Sequence, residues 1–480
     1  MPSGKEPKIH PWRKSSEDSA DMRIYFIGIA GAGMHSLALY LSEAGHEVMG
    51  SDPNASQEIC DFWHKRGCRI YTSQRSENIQ DVDLVVYSSA IPENNPERVE
   101  ACRLGIACSR GAALARFANE HGHSISVCGT HGKGTTAAAI SELLQLHGLR
   151  TSDILGAIPI GRNQPQRYVS NSEYLVCEVD ESDRTHQLHR PKILVINNVE
   201  ADHLNQYKDL KDIVQSFVEL VKNCLKHGTQ VVIHYAGVGA PILYENLVDF
   251  SEIHWVAPEG ILDNPALAYR VSKPNQEGRC LLTLRDAGGN VVQFLPEIGG
   301  FANAQNLASA SMVGRLLEIP MEEIAEHLSH YQGLKDRCQI QNIHGILLVT
   351  DYASHPTCVE NDITWVRAKA RRVVAIYHPY RYTLMEFHWL SLIKSLSLAD
   401  KVYLLPFDPC GETAIEHISS PDMATRISEN GVNAEAFDSF ESCIQEAVNS
   451  LSQGDALIIF AGHPAFEMAN EMLSKRGIYG

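Results

Sequence analysis

Short apolar runs alternate with stretches of helical periodicity from residue 23 onward. The run at 23–29 leads into a glycine-rich turn, and the apolar residues of 34–44 recur at helical spacing until Gly45 ends the pattern. A second apolar run ends at 48–52, which completes the order strand, helix, strand. Such a βαβ unit is typical of a doubly wound α/β domain.

The same alternation continues to the end of the chain. Helices are predicted at 136–147 and 303–317, and the short alternating segments of 229–295 predict an antiparallel patch. The remaining apolar runs have the length of buried strands and stand at 83–87, 106–108, 125–128, 174–177, 193–197, 346–351, 373–377, 402–405 and 456–460.

These elements predict an α/β protein of three domains behind a flexible N-terminal segment at 1–22. Residues 23–122 form a Rossmann-like domain, 123–336 a central P-loop-type domain with a mostly parallel sheet, and 337–480 a C-terminal Rossmann-like α/β domain. The length of 480 residues fits three domains, since one domain usually spans roughly 100–200 residues.

Charge and cysteine content limit the partners. The formal net charge of −17 argues against a nucleic-acid or anionic-membrane binder, because such proteins need clustered Lys and Arg. No run approaches the roughly 18 apolar residues of a membrane span, and the N-terminus lacks the apolar core of a signal peptide. Twelve scattered cysteines without C-x-x-C pairs indicate a reducing compartment. We expect a cytoplasmic monomer or homodimer that binds small molecules.

A glycine-rich loop between the strand at 125–128 and the helix at 136–147 carries the strongest chemical signal. Glycines let backbone N–H groups face phosphate oxygens, and the helix N-terminus adds positive potential. Lys133 supplies a point charge, and Thr135 or Thr136 a hydroxyl for Mg²⁺. The predicted ATP-binding residues of this loop are Gly129, Thr130, His131, Gly132, Lys133, Gly134, Thr135 and Thr136.

Two polar segments follow the next two predicted strands. Residues 178–183 hold several carboxylates at one strand tip, which repel each other unless a cation lies between them. Mg²⁺ bridging ATP oxygens is the cation that this arrangement favours. His203 lies near the end of the second polar segment, 197–204.

The glycine-rich turn in the first domain could hold a pyrophosphate at a helix N-terminus. Gly28, Gly31 and Gly33 lie in this turn, and Asp52 stands where a ribose-binding acid is expected. These features alone are compatible with NAD. An ATP loop in the following domain is not what a dehydrogenase carries.

The loop 129–136 resembles the G-T-H-G-K-x-T-T string of the Mur ligases, in particular of their UDP-N-acetylmuramate–L-alanine ligase branch. Segments 178–183 and 197–204 resemble that family's E-A-D-E-S-D and T-N-I-E-x-D-H strings in order and spacing. The resemblance implies ATP and Mg²⁺ as cofactors, with the metal held by Thr135, Glu178 and His203. Gly134 replaces the usual threonine and matches the G-K-G-[ST] loop of folylpolyglutamate synthases, which lack a leading UDP-binding domain.

In the first domain, 28–34 resembles the family's G-I-G-G-A-G-M loop, with Ala30 in place of one glycine. Segments 88–91 and 109–111 resemble its S-S-A-[IV] and x-R-A strings. The resemblance implies a UDP-sugar site rather than an NAD site. Its residues would be Gly28, Gly31, Ala32, Gly33, Met34, Asp52, Ser88, Ser89 and Arg110.

Segments 300–306 and 333–337 resemble the family's G-x-H-N-x-x-N adenine contact, through Asn303 and Asn306, and its G-V-x-x-R hinge, in which Arg337 reaches the γ-phosphate. A helix cap by Asn303 is an equally compatible interpretation. Segments 351–357 and 378–384 resemble D-Y-G-H-H-P-T and Q-P-H-R-Y-[ST]-R, which adds Asp351 to the ATP site. The implied catalytic residues are Lys133, Glu178, His203, Arg337, His355 and Arg381.

This chain departs from those motifs mainly in the domain that selects the incoming amino acid. Ser354, Tyr380 and Leu384 stand where the family has two histidines and an arginine, and Ala302 replaces another histidine. The implied reaction joins the lactyl carboxylate of UDP-N-acetylmuramate to an amino acid, L-alanine in the nearest branch, through an acyl phosphate. The alternatives are a murein peptide ligase that attaches a recycled tripeptide, a Mur-like ligase with another amine, and a catalytically weakened UDP-sugar-binding protein.

Overall fold

Three open sheets, each covered by helices, form the computed structural model, which describes residues 22–204, 206–275 and 279–476. The predicted flexible segment 1–22 lies outside the described residues except for Met22. In the described part of the chain, no helix is both long and apolar enough to cross a membrane.

The first sheet has five parallel strands in the order β3-β2-β1-β4-β5. In this order the loops after β1 and β4 lie side by side at the carboxyl edge, where nucleotides bind in Rossmann-like sheets. Asn95, followed by proline, caps α3, and Ser109 caps α4 through its hydroxyl. The elements are β1 (Arg23–Ile27), α1 (Ala32–Glu43), β2 (Glu47–Ser51), α2 (Gln57–His64), β3 (Arg69–Tyr71), β4 (Leu84–Tyr87), α3 (Pro96–Leu104), β5 (Ala107–Ser109) and α4 (Arg110–His121).

The second sheet has ten strands. Its elements are β6 (Ser124–Cys128), α5 (Lys133–Leu146), β7 (Thr151–Ile154), β8 (Gln166–Arg167), β9 (Tyr174–Glu178), β10 (Ile193–Ile196), α6 (Leu210–Leu225), β11 (Gln230–His234), α7 (Ala240–Leu247), β12 (Ile253–Pro258), β13 (Leu267–Val271), β14 (Leu282–Asp286), β15 (Val291–Phe294), α8 (Phe301–Leu316) and α9 (Met321–Ser329).

The strand order is β15-β14-β13-β12-β11-β10-β6-β9-β7-β8, so β6 lies between β9 and β10. All pairings from β7 to β13 across this order are parallel, which confirms the mostly parallel central sheet. The antiparallel patch predicted at 229–295 is wrong in its first half. There β11 and β12 are parallel strands connected by α7, and only β13, β14 and β15 run antiparallel. Short apolar strands have the same residue pattern whether they pair in parallel or antiparallel. The helix α7 between β11 and β12 provides the crossover connection that parallel pairing requires.

The third sheet has six strands in the order β16-β17-β21-β18-β19-β20, parallel except for the pair β16 and β17. Its elements are β16 (Gln339–Ile343), β17 (Ile346–Thr350), α10 (Pro356–Arg367), β18 (Arg372–Tyr377), α11 (Tyr382–Leu396), β19 (Lys401–Leu404), α12 (Ser420–Glu429), β20 (Asn433–Ala436), α13 (Phe440–Ser450), β21 (Asp455–Phe460) and α14 (His463–Arg476).

Successive strand residues enter different cores. On β18, Val373 and Ala375 pack into one apolar cluster while Val374 and Ile376 pack into another on the opposite face. Such continuous apolar strands are expected where helices cover both faces of a parallel sheet. Burial on both faces leaves polar side chains to the carboxyl edges of the strands, where the candidate site lies.

Candidate active site

The phosphate loop connects β6 to α5 at the centre of the second sheet. Gly129 and Gly132 have φ values of 120° and 75°, which side-chain-bearing residues rarely adopt. A Cβ at Gly129 would approach the Asn198 carbonyl oxygen to 2.7 Å, and one at Gly132 would overlap the Asn306 side-chain oxygen. Only glycine fits at both positions, so the loop keeps the bare backbone that a phosphate needs.

Lys133 begins α5 and points at the acidic loop after β9. Its Nζ lies 3.2 Å from the Glu181 carboxylate and 3.3 Å from the Thr130 carbonyl oxygen. Burial opposes the charge on Lys133, but the carboxylates of Glu181, Asp180 and Glu178 outweigh it and raise the pKa of the ammonium group. Lys133 is therefore charged and available to phosphate oxygens.

Asp180, Glu181 and His203 form a group whose potential ligand atoms all lie within 4.8 Å of one another. His203 Nε2 is 3.7 Å from the Glu181 carboxylate, and Oε2 of Glu181 is buried without a hydrogen-bond partner among the described residues. Carboxylates at this spacing suit Mg²⁺, which shares its remaining positions with water and phosphate. The residues present therefore fit a magnesium ion.

Glu178, predicted to bind metal with His203, is oriented differently. Its carboxylate accepts the N–H of Gly156 at 2.7 Å, and it is absent from the group around His203. A Cβ at Gly134 would lie 3.0 Å from Glu178 Oε2, so this carboxylate borders the first turn of α5. Thr135 is buried in that turn, while the Thr136 hydroxyl accepts a bond from Asn197 at 2.8 Å.

A second polar group joins the central and third domains. Glu200 Oε2 accepts the Thr357 hydroxyl at 2.7 Å and lies 3.6 Å from His131 and 3.8 Å from His355. The rings of His131 and His355 are 4.3 Å apart between centroids. Burial, helped by His131 and by His388 on α11, lowers the pKa of His355 to about 4. The predicted catalytic His355 is thus neutral and in contact with the phosphate loop.

The other predicted ATP-site residues lie on α8 and at the start of the third domain. Arg337 donates to the Tyr352 carbonyl oxygen at 3.0 Å and is 3.9 Å from Asp351. Asn306 contacts Gly132, as noted above. The Asn303 amide donates to the Gly299 carbonyl at 2.8 Å. Asn303 is not a helix cap, because α8 begins at Phe301 with Gly300 as its N-cap residue.

A cleft of about 400 Å³ opens between the central and third domains. Its walls combine Asp202 and His203 with Arg381 and the apolar side chains of Leu384 and Phe387. The Arg381 guanidinium is held by Glu412 at 3.1 Å. The predicted catalytic residues His203 and Arg381 therefore face the same space.

In the first domain, the predicted UDP-sugar residues converge at the switch point of the sheet. Asp52 Oδ2 accepts the Ala30 N–H at 3.1 Å, which ties the end of β2 to the glycine loop. A Cβ on Gly28 would lie about 4.0 Å from Ser88 Cβ, so the loops after β1 and β4 touch. Gly31 is the N-cap residue of α1, Ala32, Gly33 and Met34 form its first turn, and Ser89 lies beside Ser88.

Arg110, at the start of α4, lies over this loop. A Cβ on Gly33 would be 3.1 Å from Arg110 Nη1. Through Nη2, Arg110 also contacts Asp180 of the metal-type group at 3.4 Å. The first-domain loop, the acidic group and Lys133 thus adjoin one another.

Sequence reasoning did not select several residues of this arrangement. Asp180, Glu181, Glu200 and Asp202 lie in the two polar segments that were recognised, but nothing in the sequence told them apart from Glu178 and His203. His388, within a helix and outside any motif, gave no signal. Its Nε2 lies 3.9 Å from Asp202 in the folded chain.

Comparison with known families agrees with this geometry. Residues 23–121 match the Mur ligase family catalytic domain, 127–313 the Mur ligase middle domain, and 336–463 the Mur ligase glutamate ligase domain. The chain belongs to the Mur ligase family. The family resemblance inferred from the sequence motifs is confirmed, and this Mur ligase is an ATP-dependent enzyme that forms amide bonds.

Curated relatives extend over nearly the whole of this Mur ligase. A UDP-N-acetylmuramate–L-alanine ligase of Dictyoglomus turgidum is 31% identical over 474 residues, covering 94% of this chain and 97% of the relative. One from Sulfurihydrogenibium is 29% identical over 462 residues, with 94% and 97% coverage.

Solved structures share the fold. UDP-N-acetylmuramate–alanine ligase MurC of Thermotoga maritima superposes with a TM-score of 0.76 at 20% identity, covering 96% of this chain and all of that one. A murein peptide ligase from Psychrobacter arcticus gives a TM-score of 0.67 at 20% identity, with 94% and 99% coverage. These likenesses confirm the three-domain α/β fold class.

Proposed function

We propose that this Mur ligase joins the lactyl carboxylate of UDP-N-acetylmuramate to an amino acid, L-alanine, through an acyl phosphate in peptidoglycan precursor synthesis. The observation that carries this proposal is the contact of Arg110 with both the first-domain glycine loop and Asp180. A sugar nucleotide held at Gly28, Gly31 and Gly33 would extend past Arg110 toward Lys133. Both curated relatives named above carry the UDP-N-acetylmuramate–L-alanine ligase name.

In the first step, a carboxylate oxygen of the sugar nucleotide attacks the γ-phosphorus of ATP and ADP leaves. The loop amides around Gly129 and Gly132 and the Lys133 ammonium would stabilise the charge on the transferring phosphoryl group. Arg337 adds a second positive charge from the third domain. Asn306, in contact with Gly132, and Asn303 would border the adenine, and Asp351 the ribose side of ATP.

Magnesium would be held by Thr135, Glu178 and His203, together with Asp180 and Glu181, which the fold places beside His203. A bound Mg²⁺ supplies neutralisation of phosphate charge. The chain's own part is to keep the Asp180 carboxylate ionised. Although burial acts against ionisation, Lys133 and Arg110 lower the pKa of Asp180.

In the second step, the amine attacks the acyl carbon, an amide bond forms and inorganic phosphate leaves. The cleft between His203 and Arg381 is the place for the amino acid, with Arg381 as the partner of its carboxylate. His355 is neutral near pH 7 because burial lowers its pKa to about 4, so it would orient the site by hydrogen bonding rather than by charge. Closure of the third domain excludes water from the acyl phosphate.

We infer that the domains run from 23–122 for the UDP-sugar, 123–336 for ATP and 337–480 for the amino acid. The enzyme would act as a monomer or homodimer in the cytoplasm, where its ATP and sugar nucleotide are made.

Steady-state ADP release with UDP-N-acetylmuramate and each of the twenty amino acids tests the proposal. The expected result is turnover with L-alanine above every other amino acid and above a recycled tripeptide. Turnover with the tripeptide alone would favour the murein peptide ligase activity. Turnover with a different amino acid would indicate a Mur ligase that uses that amino acid as its amine substrate. Sugar-nucleotide binding without any ADP release would indicate a weakened binding protein.

A further inference from the structure

A buried group of metal-type ligands lies in the third domain, apart from the acidic group around His203. Cys338, Asp351 and Asp362 each offer one ligand atom, and these atoms lie within 4.8 Å of one another. Cys338 stands between the hinge residue Arg337 and β16, Asp351 follows β17, and Asp362 lies on α10. Three separate elements therefore bring one thiol and two carboxyl groups to a single point.

The carboxyl group of Asp362 is buried with incomplete hydrogen bonding. The residue is 8% exposed. Its Oδ1 contacts the Cys338 thiol at 3.9 Å, while Oδ2 has no hydrogen-bond partner within the described residues. A buried oxygen without a partner costs about 1–3 kcal/mol, and a carboxylate beside another carboxylate costs more. Something that compensates this oxygen is expected at the centre of the group.

We propose that Cys338, Asp362 and one carboxylate oxygen of Asp351 bind a zinc-type divalent cation that fixes the start of the third domain. The other oxygen of Asp351 stays available to the proposed ATP site. Thiolate sulfur selects Zn²⁺ over Mg²⁺, whereas carboxylates accept either. Tetrahedral zinc with bonds of about 2.3 Å to sulfur and about 2.0 Å to oxygen separates the two ligand atoms by about 3.5 Å. The 3.9 Å between Cys338 Sγ and Asp362 Oδ1 requires a movement of only a few tenths of an ångström.

The proton and charge balance of such a site is favourable. Metal ligands bind in their deprotonated forms, so the incoming dication displaces the thiol proton of Cys338, and any proton shared by Asp351 and Asp362, into solvent. One thiolate and two carboxylates then leave a single negative charge around the metal. The Arg337 guanidinium, 3.9 Å from Asp351, offsets it.

The site would act on the junction between the central and third domains, and it does not depend on which amide the enzyme forms. Cys338 directly follows Arg337, whose guanidinium lies 3.9 Å from the Asp351 carboxylate. A metal bound here would connect the hinge to β17 and α10. It would thereby hold Arg337 in one orientation.

Cobalt titration of the full-length, chelator-treated protein tests the proposal. Co²⁺ occupies zinc sites, and a thiolate ligand gives a charge-transfer band in the near ultraviolet. The expected result is one equivalent of Co²⁺ with this band, abolished when Zn²⁺ is added. Cobalt binding without a thiolate band, as a site at His131, Glu200 and His355 would give, overturns the proposal.

Variants identify the ligands. Cys338→Ser should lose the band, and Asp362→Asn should weaken Co²⁺ binding at least about tenfold. Cys443→Ala is the matched control, because Cys443 is a buried cysteine of the same domain in a different apolar cluster. A band that survives Cys338→Ser in a protein with unchanged circular dichroism, or that disappears in Cys443→Ala, contradicts the assignment.

Discussion

Arg110 Nη2 of the first domain lies 3.4 Å from Asp180 Oδ2 of the central domain. The same guanidinium covers Gly33 in the glycine loop, so one side chain contacts both the proposed sugar-nucleotide loop and the proposed magnesium group. Through this guanidinium, binding of the sugar nucleotide would be coupled to binding of Mg²⁺ and ATP, whose phosphate must meet the sugar's carboxylate.

Replacing Arg110 with alanine should raise the dissociation constant for UDP-N-acetylmuramate about tenfold, because a charge-assisted hydrogen bond contributes about 1.5–3 kcal/mol. Affinity for ATP alone should change much less. Calorimetry with each nucleotide measures both. Arg103→Ala, at an exposed ion pair in the same domain, is the control. An equal loss of affinity for both nucleotides would show that Arg110 supports the fold and does not bind the sugar nucleotide.

Gly31 allows a direct test of what the first domain binds. A Cβ there meets only the Gly28 carbonyl oxygen at 3.5 Å and Met34 at 3.9 Å, so Gly31→Val should fold normally. The valine should still block a pyrophosphate from the α1 N-terminus and weaken UDP-N-acetylmuramate binding selectively. Wild-type protein should bind the sugar nucleotide without ATP and show no NAD binding by calorimetry. NAD binding without sugar-nucleotide binding would refute the UDP-sugar assignment.

Lys133→Ala should lower kcat by on the order of 10²-fold or more, since it removes a preorganised charge beside the transferring phosphoryl group. Lys211→Ala, at an exposed position of α6, should leave kcat unchanged. Near-normal turnover of Lys133→Ala would disprove the loop assignment. The measurement is steady-state ADP release at saturating substrates.

Glu178→Gln and Glu181→Gln distinguish two arrangements of the magnesium site. Both should raise the Mg²⁺ concentration needed for half-maximal activity, with sugar-nucleotide affinity unaffected, because both carboxylates border Lys133. Glu181 should have the larger effect, since it lies in the group with His203. Magnesium titration curves identical to wild type in both variants would exclude this metal site.

Thr357→Val should uncouple ATP use from amide formation. The Thr357 hydroxyl donates to Glu200 across the domain junction at 2.7 Å, and a less firmly closed third domain admits water to the acyl phosphate. We expect the ratio of ADP to amide product to rise by about three- to tenfold. Thr425→Val, exposed on α12, is the control. An unchanged ratio would mean that this bond does not hold the closed form.

Acid should destabilise the fold through buried histidines. Burial lowers the pKa of His234 to about 4, against about 6.5 in the unfolded chain. The unfolded chain binds more protons between these values, so stability that is complete above pH ~6.5 is lost as the pH falls toward 4. The thermal midpoint of His234→Gln should therefore fall less between about pH 7.5 and about pH 5 than that of wild type. The exposed His417→Gln should match wild type.

The sequence was sufficient to predict those parts of the site whose residues are adjacent in the chain. The phosphate loop was predicted because glycines, a lysine and hydroxyls follow one another between a strand and a helix. In the structure these residues form the connection after β6 and the first turn of α5. The same holds for the glycine loop after β1. Over short separations, backbone conformation is set by which residues tolerate it, as the positive φ of Gly129 and Gly132 illustrates.

Tertiary structure decided which polar side chains meet. The sequence predicted that Glu178 and His203 follow strands that end beside the phosphate loop. The fold groups His203 with Asp180 and Glu181 and orients Glu178 toward Gly156. A change in one backbone torsion angle after a strand redirects the side chains that follow. The residue types alone do not specify that angle. The antiparallel patch failed for a related reason, because strand direction depends on the packing of α7 against the sheet.

The sequence by itself determined the family, the three α/β units and the positions of the two glycine-rich loops that we propose to bind phosphate. Only the folded chain determined the contact of His131 with His355, the bond from Thr357 to Glu200, and the group formed by Cys338, Asp351 and Asp362. These contacts join separate elements or domains. Their free energy comes from packing and desolvation in the assembled structure, which no local pattern of residues encodes.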